Sequence, residues 1–233
     1  MSGALKAYAV LEHAERTGGI LFARHAIVAR KWGANEWGNG DLTSVSCNRM
    51  PGLDRFAEQG DVPASVLVEM GWHFECWCGA RIDDDSLVER GLAASDVIGC
   101  CGHGLVFCGQ RCLHKFYRQR SQRRRFERRV VERLQRFVVE RLPGVVFTGI
   151  KAKQHVYAEW HGRRLRLREA HISFAFPGMA IGPAQFVLSQ PQRHFRDRRE
   201  PLGPPTAAFW CCNGDSQAFE AFAAACRRQR GAA

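Results

Sequence analysis

From Gln110 to Leu142 the chain runs without a single Gly or Pro, and Pro143-Gly144 then stops it. The stretch leading into it and through it, VFCGQRCLHKFYRQRSQRRRFERRVVERLQRFVVER, spans Val106 to Arg141. So long a run of good helix formers predicts one long helix, and everything before and after must be arranged around that rod. Two cysteines, Cys108 and Cys112, stand at its start. A second close pair, Cys76 and Cys78, lies upstream in FECWCGA, where glycine follows the second thiol. Thiolates are soft ligands, and four of them close a tetrahedron around a zinc ion. The expected ligand set is therefore Cys76, Cys78, Cys108 and Cys112, holding one structural Zn2+. The other reading of the same residues is four buried small hydrophobes.

Helical phase supports the ligand reading. At about 100° per residue, Cys112 falls in the same sector as Phe116, Phe126, Val130, Leu134 and Phe137, the apolar side of the rod. Cys100, Cys101 and His103 in GCCGHG, and His73 before the first pair, are further residues able to replace a ligand or take a second ion. Cys47, Cys211, Cys212 and Cys226 lack ligand spacing among themselves and read as core thiols.

The second pair, with an aromatic residue before Cys-Gly and a helix directly after, resembles the FCS- and MYND-type treble-clef zinc knuckles. The resemblance covers about residues 72–116 and implies a metal scaffold, not an activity. The first pair departs from it, being Cys-x-Cys where Cys-x-x-Cys is usual. Through ILFARHAIVAR, VPASVLVEMGWHFEC and CGARID the chain also resembles uncharacterised small proteins of bacteriophages and prophages, which implies a bacterial host cytoplasm as its setting.

Charge is concentrated on the same rod. Residues 111–141 carry 12 basic and 3 acidic side chains, whereas residues 1–110 carry 9 and 14. Most of the basic residues are arginine, whose planar fork suits phosphate or carboxylate. Arg118, Arg124, Arg125, Arg128, Arg129 and Arg136 project away from the apolar stripe. Glu127, Glu132 and Glu140 can pair only some of them at i,i+4. Like charge held on a rigid helix repels itself, and a polyanion relieves that repulsion. The expected partner is nucleic acid, bound through phosphates. The competing class is an adaptor docking an acidic protein, without nucleic acid or catalysis. Arg163, Arg164, Arg166 and Arg168, alternating along a strand, can offer only part of their set to one surface. Arg193 to Arg199 lie in an arginine-rich, proline-bearing stretch that reads as a loop.

Catalysis finds little support. His155, Glu159, His161 and His171 do not form His-Glu-x-x-His, and no phosphate-binding or nucleophile-elbow motif is present. A zinc closed by four thiolates has no position for water. No apolar run approaches the length of about 20 residues that spans a bilayer, and no secretory leader is visible, so the reading places the protein in the cytoplasm.

The predicted fold class is α+β. AYAVLEH, GILFARH and AIVARKWGANEW predict a ββα module within 1–71. The zinc knuckle and basic helix occupy 72–142. Residues 143–233 are β-rich, with strands expected at VVFTGI, HVYAEW, RRLRLRE, HISFAF and AAFWCC. A helix capped by Asp215 closes the chain. In DDDSLVERG the carboxylates read as caps of a short helix ended by Gly91.

Overall fold

The computed structural model describes residues 4–100, 104–148, 154–191 and 204–231. The architecture is α+β, as expected, and divides into two units, Met1–Phe116 and Tyr117–Ala233. The ββα module is present: β1 (Lys6–Glu12), β2 (Gly18–Ala23) and α1 (Ala26–Trp37), joined by β3 (Val45–Arg49) in an antiparallel sheet of order β2-β1-β3. β1 does not alternate in burial. Ala7, Tyr8, Ala9 and Val10 are all buried, because both faces of this central strand are covered. Tyr8 and Val10 join Ala29 and Ala34 of α1, while Ala7 joins Leu53, Val62 and Leu67.

Glycine weakens a helix interior, yet α1 continues through Gly33. A Cβ at Gly33 would meet Val10 Cγ1 at 2.3 Å, so the glycine lets helix and strand approach closely. Asp54 ties the following 3-10 turn (Pro51–Phe56) to this sheet. It accepts from the Ala7 amide at 2.8 Å and from both terminal nitrogens of Arg49.

The remainder of this unit consists of short pieces. They are α2 (Ala64–Glu69), β4 (Phe74–Glu75) paired with β5 (Arg81–Ile82), α3 (Asp84–Val88), and β6 (Ile98–Cys100) paired with β7 (Leu105–Phe107). The apolar run SVLVE, whose periodicity alone suits helix or strand, is thus helical. The capping reading of the acidic triplet holds: the Asp83 carboxylate accepts from the Ser86 amide at 2.9 Å, and Gly91 has φ 66°.

The long helix is α4 (Gln110–Arg141). In the second unit, four strands run antiparallel in the order β11-β10-β9-β8: β8 (His155–His161), β9 (Arg164–Phe174), β10 (Ala184–Ser189) and β11 (Thr206–Trp210). RRLRLRE and HISFAF are one continuous strand, β9. β10 was not foreseen. VVFTGI, expected as a strand, contributes only the Val146–Ala175 bridge among its described residues. α5 (Ser216–Gly231) closes the chain.

Ala170, Ile172 and Phe174 of β9, Ala184 and Phe186 of β10, Leu134 and Val138 of α4, and Phe219, Ala223 and Cys226 of α5 form one buried cluster. Asp215 stands before α5, and its carbonyl accepts from the Phe219 amide, as an N-cap should. Its buried carboxylate turns elsewhere. It accepts from the amides of Ala180, Ile181 and Gly182 at 3.1, 2.8 and 3.0 Å, clasping that loop to the helix start.

A candidate metal centre and an arginine groove

The first cysteine pair sits in the tight turn between β4 and β5. The Cys76 amide donates to the Ala80 carbonyl and the Gly79 amide to the Cys76 carbonyl, both at 2.7 Å. Gly79 closes the turn at φ 81°, a left-handed conformation in which glycine carries no Cβ penalty. The second pair comes from the junction of β7 and α4. Cys108 directly follows the strand, and the amides of Cys112 and Leu113 donate to the Gly109 carbonyl to start the helix. The two pairs are stitched together by a Cys76–Val106 bridge, with the Trp77 amide on the Val106 carbonyl at 3.1 Å.

The four sulfurs lie within 4.8 Å of one another, and Cys108 Sγ is 3.5 Å from Cys112 Sγ. Metal–sulfur bonds of about 2.3 Å in a tetrahedron put sulfurs about 3.8 Å apart, so the donor set fits a closed four-thiolate site. All four are free thiols. Cys76 and Cys108 are buried, Cys112 is half-buried and Cys78 is exposed. The amides of Cys78 and Cys108 both point at Cys76 Sγ, at 3.5 and 3.3 Å, an arrangement that favours the thiolate.

Burial pushes the thiols of Cys76 and Cys112 up, with neighbouring thiols adding to the rise at Cys112. Burial also raises Cys78, but hydrogen bonds from Cys76, the Ala80 amide and the other two cysteines outweigh it and leave this thiol lowered. One thiolate is thus favoured at its neighbours' expense. A cation is what allows all four to ionise together.

Around the sulfurs lies an apolar shell of Val68, Ile82, Leu87, Val97 and Phe107. The ring of Phe116 packs 5.4 Å from both Trp77 and Phe107. His73 is exposed, and among the described residues the close ligand cluster is the four cysteines alone. The side chain of Cys100, together with Cys101 and His103, lies outside the described residues, as do Arg193 to Arg199. Of the thiols expected in the core, Cys226 is buried, but Cys212 is exposed beside the Asp215 carboxylate.

All six arginines predicted for the helix face are exposed. They border different recesses. Arg125, Arg128 and Arg129 line a groove of about 720 Å³ with Arg163 and Arg164 of the β8–β9 hairpin and with Trp160. Arg124 shares a smaller recess with Arg128, Glu127 and His155, while Arg136 lies among Glu132, Val139 and Glu140. Arg118 joins none of these.

Among the described residues, no carboxylate lines the 720 Å³ groove. Glu127 is engaged by Arg123 at 3.6 Å, and Glu159 by Arg168 at 2.6 Å and the Tyr157 hydroxyl at 3.0 Å. Arg125 is steadied by the Ser121 hydroxyl at 3.2 Å. Trp160 was not among the candidates. The available signal was an indole on the same strand face as Ala158, one residue from the hairpin end. No helix among the described residues is long and apolar enough to cross a membrane. Comparison with protein families, curated proteins and solved structures finds no match.

Proposed function

We propose that this is a zinc-stabilised nucleic-acid-binding protein that grips phosphates through the arginines of α4 and the β8–β9 hairpin. The observation that carries the reading is the groove that five guanidiniums from two elements line together, with no carboxylate among its described lining residues. Unneutralised cations held at fixed positions repel one another, and bridging phosphates remove that repulsion. Zinc is the metal we assign to Cys76, Cys78, Cys108 and Cys112, because four thiolates suit a structural zinc and leave it no open coordination position. Its role is structural: it joins the β4–β5 turn to the first turn of α4. A cysteine pair in a hairpin followed by a pair opening a helix agrees with a treble-clef knuckle over residues 72–116. A reducing cytoplasm, where thiols stay available to a metal, is the compartment this reading implies.

The test combines elemental analysis with binding to DNA and RNA across a salt series. One zinc per chain is expected, with the logarithm of affinity falling linearly with the logarithm of salt concentration. Absence of zinc from protein purified without chelators refutes the metal assignment. Absence of binding at low salt refutes the nucleic-acid assignment, and capture of an acidic protein through the same arginines replaces it with an adaptor.

A further inference from the structure

β8 delivers more to the arginine groove than charge. Trp160 is paired with Leu165 across the β8–β9 ladder and remains 36% exposed. It stands two residues before Gly162, whose φ of 60° lets the chain turn back directly into Arg163 and Arg164. The tight hairpin therefore places an accessible indole and two guanidiniums on one short segment. Arg125, Arg128 and Arg129 line the same groove from α4, and Phe126 and Leu165 give it an apolar floor. An aromatic ring exposed among cations, over an apolar floor and with no carboxylate among the described lining residues, has a definite chemical complement. It suits a ligand with a flat apolar face and negative charge a few ångströms away.

We infer that the groove takes single-stranded nucleic acid, with a base stacked on Trp160 and the flanking phosphates on the arginines. The inference rests on the proposed nucleic-acid function and narrows it. In a duplex the base faces are covered by their neighbours and only edges and backbone are offered, so the indole gains nothing there. In a single strand every base has a free face, and stacking on an aromatic side chain is tolerant of sequence. The groove, of about 720 Å³, is open to solvent, so a flexible strand can lay a base against the indole.

The experiment measures binding of a fluorescein-labelled oligothymidylate and of a mixed-sequence duplex at matched salt. The proteins are the parent, Trp160→Ala, Trp160→Phe and the triple Arg125→Gln, Arg128→Gln, Arg129→Gln variant, each checked for zinc content and circular dichroism. The parent should prefer the single strand. Trp160→Ala should lose about five- to hundredfold on it, the range for one stacked base. Its duplex affinity and salt slope should be unchanged. Trp160→Phe should keep most of the single-strand affinity, and the indole quenching that oligothymidylate causes in the parent should shrink in this variant.

Parental binding by Trp160→Ala, equal losses on both probes, or quenching unchanged in Trp160→Phe would each overturn the stacking inference. If those results appear while the arginine variant weakens both probes, the phosphate reading survives alone. If the parent binds neither probe at low salt, the nucleic-acid function falls with it.

Discussion

Replacing Cys112 with Ser removes one of four sulfurs and leaves the carbon skeleton in place. The magnitude follows from what surrounds the site. β4 and β5 are two residues each, β6 and β7 three, and α3 five. Elements that short do not persist alone; they rest on one shared apolar cluster that contains Cys76 and Cys108. Structural zinc contributes about 10–16 kcal/mol in small modules, so an equal share per ligand is about 2.5–4 kcal/mol. That converts to a roughly hundredfold to thousandfold loss of zinc affinity. Competition against a chromophoric chelator measures it, and hydrogen exchange should report deprotection confined to about residues 72–116. Cys226→Ser is the control, since Cys226 is buried in the other unit and outside the cluster, and it should retain zinc. Parental zinc affinity in Cys112→Ser, with Cys112 Sγ so near Cys108 Sγ, would refute the four-thiolate assignment.

The triple Arg125→Gln, Arg128→Gln, Arg129→Gln variant should flatten the salt dependence of nucleic-acid binding by about 0.9 for each duplex phosphate it no longer neutralises. Arg118→Gln with Arg136→Gln should change it little, because neither residue lines the groove. Phe174→Ala should destabilise the second unit by about 3–5 kcal/mol in urea unfolding, since this fully buried ring meets Phe147, Phe209 and Phe219. Asp215 supplies a pH signature. The amides of Gly182 and Ile181, with Ala180, hold its carboxyl below the usual range despite burial. A depressed folded value means the contribution is complete above the unfolded pKa of about 3.9 and vanishes as pH falls through the folded one. Asp215→Asn should therefore lower the melting temperature at neutral pH and remove that part of the acid-side decline.

The local signals in the sequence were strong where one residue type answers one physical need. Asp83 before a helix, Gly91 after it, Pro143-Gly144 behind a long apolar stripe, and cysteine pairs at a turn and a helix start all fall where they were expected. Tertiary context decided the rest. β10 is central to its sheet, yet AQFVLS looks weak in isolation, and only its confinement between Gly182-Pro183 and Gln190-Pro191 marks it. Gly33 reads as a helix weakener, and only the neighbouring Val10 explains it. The carboxylate of Asp215 has a helix start to cap, but it accepts instead from three loop amides more than thirty residues away in sequence.

The arginine face shows why a helix wheel alone is incomplete. It separates apolar from charged positions on α4, but not which charged positions meet another element. That choice was made on β9. Its apolar residues fall on odd numbers at Leu165 and Leu167, then on even numbers at Ala170, Ile172 and Phe174. A regular strand cannot bury both sets on one face, because side chains alternate. The register resolves the conflict: Tyr157 pairs with Glu169 and Ala158 with Leu167, leaving Arg168 as the extra residue of a bulge. Beyond the bulge Leu165 shares the core-facing side, opposite Trp160, while Arg166 lies opposite Glu159. Arg163 and Arg164, at the turn, reach the groove, and Arg166 is left out of it. The change of parity was legible in RRLRLREAHISF. Read as a bulge, it directs Leu165 and Trp160 toward the arginines of α4 and makes a groove where a helix wheel shows only a face.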